Sequence, residues 1–111
     1  MIIRQPHADE VEAILALFAR DVAAGLMLPR PADEMRQQLD RWLVAEQGGQ
    51  MVGCVSLVYY NGTLAEVRSL AVHPDHRGNG VASQLVTAAV AMARENARRN
   101  GLEAPRRVTS P

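Results

Sequence analysis

Seven consecutive residues, Arg77-Gly78-Asn79-Gly80-Val81-Ala82-Ser83, have the types and spacing to hold a phosphate. Gly78 and Gly80 carry no β-carbon, so the backbone can bend sharply and a ligand can come close to it. The residues after Gly80 read as the opening of a helix. Several N–H groups therefore converge on one place, with the positive end of the helix dipole behind them. Such a turn suits a phosphate or pyrophosphate; the same residues would also serve as a plain strand-to-helix connection. Just before it, His73 and His76 flank Pro74-Asp75. A proline loop beside a phosphate turn has its own reasons to be polar. His-x-x-His is read here as a loop facing ligand or solvent, and no metal is expected.

The turn needs a strand to lead in and a helix to lead out, and the pattern supplies both. Leu64–Val72 reads as a strand, in which alternate residues share a face. Glu66, Arg68, Leu70 and Val72 are thus expected on one side, with Val67, Ser69 and Ala71 on the other. A helix runs from about Val81 to Ala97, with Leu85, Ala89 and Met92 inward and Arg94, Arg98 and Arg99 near its negative end. Upstream, Ile2–Arg4 is a short strand stopped by Pro6. Asp9 begins a helix with Glu12 as capping-box partner, and Val11, Ile14, Leu15, Phe18 and Val22 form its buried stripe. Gly25 suits a left-handed cap. Leu26–Arg30 is a proline-flanked loop. A second helix from about Pro31 turns Met35, Leu39 and Trp42 inward. The period then changes to two: strands Leu43–Glu46 and Met51–Tyr60 flank the turn Gln47-Gly48-Gly49-Gln50. Asn61-Gly62 is a tight-turn signal before Leu64. Three antiparallel strands in a meander follow from this.

At 111 residues, 48% hydrophobic and 22% charged, the chain is expected to form one small globular domain. A formal net charge of zero argues against a dedicated nucleic-acid or membrane-surface binder. Charge is uneven: residues 1–75 hold six arginines and ten acids, residues 76–111 six arginines and two acids. The +4 second part fits a ligand with several phosphates and equally a solvated basic helix end. All twelve basic residues are Arg, a compositional bias. Cys54 is the sole cysteine, so no disulfide framework exists, and its strand setting is that of a small buried hydrophobe. No signal pattern and no apolar run of the ~18–20 residues a span needs is found, so a cytoplasmic location is expected.

LAVHPDHRGNGVASQLV resembles the acyl-CoA-binding signature of the GNAT N-acetyltransferases, Q/R-x-x-G-x-G/A, filled here by Arg77, Gly80 and Ala82. The resemblance implies an α/β (α+β) fold with a mixed, mainly antiparallel sheet flanked by helices, in the order β-α-α-β-β-β-α. It implies acetyl-CoA as co-substrate, with the pantetheine arm along the backbone of Leu70, Ala71 and Val72. The pyrophosphate would meet the amides of Arg77, Gly78, Asn79, Gly80, Val81 and Ala82, with Ser83 close by. Glu66 stands where some members carry a general base; an ion-paired strand glutamate is the alternative. A full member continues into a fifth strand, a fourth helix and closing strands. From Gly101 the chain offers an irregular tail or the start of a fifth strand, so residues 1–111 are expected to form a single, partial acyl-CoA-binding domain. No general acid is carried over, because the tyrosine that members place on the fourth helix has no counterpart.

The longer stretch from Leu26 to Val86 is similar to the catalytic domain of N-acetylglutamate synthases, through Pro29-Arg30, the VAE and VGC strands and AEVRSLAV. Glutamate carries two carboxylates, which arginine can bind in a bidentate fork. Arg30 and Arg68 are the substrate-binding candidates this implies, with surface ion pairs as the alternative. The function implied is transfer of an acetyl group to the amino group of an amino acid, with glutamate as the acceptor. A non-catalytic or shortened domain that binds acyl-CoA in a regulatory role is the alternative. A strand edge left open at Leu64–Val72 implies a homodimer or other oligomer.

Overall fold

The structure, a computed structural model, describes residues 1–25, 31–61, 64–99 and 107–109. Its elements are β1 (Ile2–Arg4), α1 (Val11–Ala23), α2 (Ala32–Arg36), β2 (Trp42–Gln47), β3 (Gln50–Asn61), β4 (Leu64–Val72), α3 (Val81–Arg99) and β5 (Arg107–Thr109). The strands form one sheet in the order β1-β2-β3-β4-β5. Pairing is antiparallel from β1 to β4, while β5 runs parallel to β4 and pairs only with Leu64, Ala65 and Glu66. The architecture is the mixed, mainly antiparallel α/β sheet expected, with β5 added after α3. No described helix is long and apolar enough to cross a membrane.

Each face of the sheet has its own core. On one, α3 buries Val81, Leu85, Ala89, Ala93 and Ala97, mostly small residues that let the helix sit close. The first four pack on Leu43, Ala45, Val55, Leu57, Ala65 and Val67. Gly53 is part of that closeness: a β-carbon there would lie 2.9 Å from Leu85 Cδ1 and 3.0 Å from Val81 Cγ1. On the other face, Val11, Ile14 and Phe18 of α1 meet Met35, Trp42, Val44, Cys54 and Ala71. The Phe18 and Trp42 rings lie 6.0 Å apart at a tilt.

Three expectations are corrected. The capping box lies two residues earlier: Glu10, not Glu12, accepts from the His7 N–H at 2.8 Å, and Glu12 bonds Arg36 instead. Arg4 donates to Glu10 from Nη1 and Nη2, each at 2.8 Å, which fixes the box to the end of β1. The second helix is short, ending at Arg36, and Trp42 opens β2 rather than closing a helix. A 3₁₀ turn over Leu39–Arg41 intervenes, and Trp42 is extended at φ −114°, ψ 146°. Burial decides this: Trp42 is 1% exposed when it sits as a strand residue against Phe18 and Met35. The third correction, in β4, concerns the site and follows below. The loop Leu26–Arg30, the substrate candidate Arg30 in it, and the Gly62 of the Asn61-Gly62 turn lie outside the described residues.

Candidate functional site

The glycine turn and the end of β4 enclose a cavity of about 570 Å³. One wall is Leu70, Ala71 and Val72; the other runs from His76 to Ser83. Of the residues expected at a cofactor seat, Arg77, Gly78, Gly80, Val81, Ala82 and Ser83 line it, together with the three strand residues. Asn79 lies in the same turn, exposed, but not in the wall. His76, expected in a loop facing ligand or solvent, lines the cavity.

Local bonding explains the turn. His73 N–H donates to Val52 C=O at 2.8 Å, so the strand is anchored up to its last residue. Pro74–His76 then make a 3₁₀ turn, with His73 Nδ1 accepting from Asp75 N–H at 3.1 Å. That bond gives His73 a capping role. Gly78 and Gly80 take φ of +83° and +80°, left-handed values that glycine adopts without strain. A β-carbon at either would meet nothing within 4 Å, so both face open space. The first helical bond of α3 is Gln84 N–H to Gly80 C=O at 3.1 Å. The N–H groups of Val81, Ala82 and Ser83 therefore precede any acceptor within the helix. Arg77 Nε donates to Val72 C=O at 3.3 Å, which holds the turn against the strand end. These donors, the helix dipole and the open space above two glycines fit a pyrophosphate.

A bulge shapes the strand wall. Cys54 pairs with Ala71 and Ser56 with Arg68, so three steps on β4 face two on β3. The extra residue is Ser69, the one non-glycine residue with positive φ (53°) among those described. An inserted residue inverts the alternation beyond it. Leu70 and Val72 therefore join the α3 side with Ala65 and Val67, while Ala71 is buried on the α1 side. This corrects the expectation that Leu70 and Val72 share a face with Glu66 and Arg68. With His73 bonded inward to β3, the antiparallel alternation directs the Val72 N–H toward the opposite edge. Among the described residues, β5 pairs along that edge as far as Glu66.

Glu66 and Arg68 lie on the α1 side of the sheet, outside the cavity wall. The Arg68 Nε is ion-paired with the Glu66 carboxylate, the arrangement named as the alternative to a free base. The Glu66 hydrogen bond raises the Arg68 pKa above its ordinary value. Arg68 Nη2 also donates to the Tyr60 hydroxyl at 2.5 Å, and its guanidinium lies 5.9 Å from that ring's centroid. Tyr60 was not singled out from sequence. Its signal was the hairpin register, since pairing Val58 with Glu66 brings Tyr60 onto the Glu66 face. Cys54 is fully buried, and burial pushes its thiol pKa well up, so it is no nucleophile.

Residues 9–104 match the Acetyltransferase (GNAT) family. An uncharacterized N-acetyltransferase of Chlorobaculum tepidum is 31% identical over 93 residues, covering 84% of this chain and 60% of the relative. An amino-acid acetyltransferase of Vibrio vulnificus is 30% identical over 76 residues, 68% of this chain and 17% of the relative. The chain thus spans less than two thirds of the length of either. Among solved structures, N-acetylglutamate synthase of Neisseria gonorrhoeae, complexed with coenzyme A and N-acetyl-glutamate, has the same fold. Its TM-score is 0.77 at 24% identity, over 91% of this chain and 23% of that one.

Proposed function

The chain belongs to the acetyltransferase (GNAT) family, and on that premise we propose that it transfers an acetyl group from acetyl-CoA to the amino group of an amino acid, glutamate being the acceptor favoured. The observation that carries the reading is the cavity where the β4 end and the glycine turn meet. Residues 1–111 act in it as a single acyl-CoA-binding domain. Acetyl-CoA supplies an activated thioester. The amides of Val81, Ala82 and Ser83, and those of the Arg77–Gly80 turn, hold its pyrophosphate. The backbone N–H of Val72 points to the open edge, where it can stabilise charge developing on the thioester oxygen. An ammonium must lose a proton before its nitrogen can attack, and Glu66 accepts that proton through water. Arg68 holds Glu66 in place and, with Arg30, offers guanidinium donors to the acceptor's carboxylates.

The amino-acid acetyltransferases among the relatives support an amino acid as acceptor; the similarity to N-acetylglutamate synthases through Arg30 and AEVRSLAV supports glutamate. The β4 edge beyond Glu66 supports self-association as a homodimer or larger oligomer, which sedimentation at high micromolar concentration tests. The function itself is tested by thiol release from acetyl-CoA with a panel of amino acids, beside calorimetric titration of coenzyme A. Turnover highest with glutamate is the expected result. Binding without turnover on any amine would establish the regulatory reading instead, and absence of both would refute the assignment.

A further inference from the structure

We propose that Ser56, with Cys54 two residues before it on β3, is a positioning residue that holds the β4 bulge in the form the acyl-CoA seat requires. The proposal rests on the acyl-CoA reading above. Ser56 is 3% exposed, the polar member of an otherwise apolar buried set among the described residues. A buried hydroxyl needs a partner, and this one donates to the Arg68 C=O at 3.1 Å. Cys54 is buried beside it, its Sγ 3.8 Å from the Ser69 C=O. These two carbonyls belong to the residues at which the β3–β4 register shifts. A bulge breaks the ladder locally and leaves backbone groups without their regular partners. Carbonyls in that position, here partly buried, are costly to leave unpaired unless a side chain takes them. Two side chains of β3, spaced to share a face, take both.

What the bulge secures is the cavity wall. With Ser69 at φ 53°, Leu70 and Val72 turn their side chains toward α3, and the Val72 N–H faces the edge beside the glycine turn. Were Ser69 to relax to an ordinary extended conformation, the strand beyond it would slip by one residue and every side chain would change face. Leu70 and Val72 would leave the α3 core, and the wall would be lost without any residue of the seat being altered. Ser56 touches no ligand in this scheme. It acts through β4.

The test titrates coenzyme A into the wild-type chain and into Ser56→Ala, Ser56→Thr and Ile14→Val. Ile14→Val is a buried change in α1, with thermal unfolding recorded for each. Ser56→Ala is expected to raise the coenzyme A Kd by about tenfold or more, the equivalent of one lost hydrogen bond. Ser56→Thr keeps the hydroxyl and stays within about threefold of wild type, while Ile14→Val lowers the melting temperature with its Kd unchanged. Equal affinity in wild type and Ser56→Ala overturns the proposal. So does a loss of affinity shared by Ile14→Val, or one not rescued by threonine, since either would mean general destabilisation. Should Ser56→Ala fail to fold, Cys54→Ala gives the same readout, and an unchanged Kd there overturns the idea. A wild-type chain that binds no coenzyme A instead removes the acyl-CoA reading itself, and the positioning role with it.

Discussion

A methyl group added at Gly53 tests how closely α3 must approach the sheet. Its β-carbon would lie 2.9 Å from Leu85 Cδ1, 3.0 Å from Val81 Cγ1 and 3.2 Å from the Ala71 carbonyl oxygen. Carbon atoms rest at about 3.5–4.0 Å, so the helix or the strand must give by roughly half an ångström or more. Leu85 is 0% exposed and Val81 3%, so both side chains sit within packed surroundings on the sheet side. The Ala71 carbonyl is held by the pairing of its residue with Cys54. Overpacking of this kind costs about 1–3 kcal/mol. Alanine restores roughly 0.5–1 kcal/mol through the smaller entropy loss of its backbone. The net expectation for Gly53→Ala is a loss of about 0.5–2 kcal/mol, which for a domain of this size lowers Tm by roughly 2–10 °C. Thermal unfolding followed by circular dichroism measures it. Because Val81 and Ala71 both line the cavity, the same variant should also weaken coenzyme A binding. A melting temperature equal to or above wild type would refute the claim that Gly53 sets the distance of α3 from the sheet.

Three further outcomes are expected. Gly80→Val places a β-branched residue at φ +80°, in the open space where the ligand approaches; coenzyme A affinity measured by calorimetry should fall at least tenfold, roughly 1.4 kcal/mol, and an unchanged Kd in a folded variant removes the glycine seat. Glu66→Gln should lower turnover by roughly 10²-fold at neutral pH with coenzyme A affinity intact; a wild-type rate would leave Glu66 as the ion-pair partner of Arg68 and no more. The Arg4 hydrogen bonds hold Glu10 down to a pKa of about 2, from an ordinary 4.5. A carboxylate depressed in the folded state stabilises fully above pH 4.5, and that contribution is lost as pH falls toward 2. Discounted for solvent screening it is worth about 1–2 kcal/mol, so the melting temperature of Glu10→Gln should fall less over that window than wild type, and parallel curves would contradict it.

The strand Leu64–Val72 and the start of α3 at Val81 were legible because local signals agree there: an apolar run, a proline loop, then glycines with no rival conformation. The two stripes of α1 and α3 were legible for the same reason. Trp42 was misassigned because its helical spacing from Met35 and Leu39 matched as well as its strand alternation did. Only tertiary packing against Phe18 separates the two. Glu10 was passed over as a cap because histidine is a poor cap signal, and its bond to Arg4 comes from a different element. Ser69 had no signal at all. Serine carries no preference for positive φ, and the bulge depends on hydroxyl and thiol groups contributed by β3. The residues that line the cavity were therefore readable, and the phase of its strand wall was not.

The Ser69 insertion also divides the strand into two independent halves. It sends residues 66 and 68 to one side of the sheet and residues 70 and 72 to the other within a single strand. Changes at the first pair can alter the chemistry of that side without disturbing the packing of the second pair on α3. A uniformly alternating strand would place all four positions on one face, under one set of packing constraints. One misfit residue makes the strand modular, each half answering to a different side of the sheet.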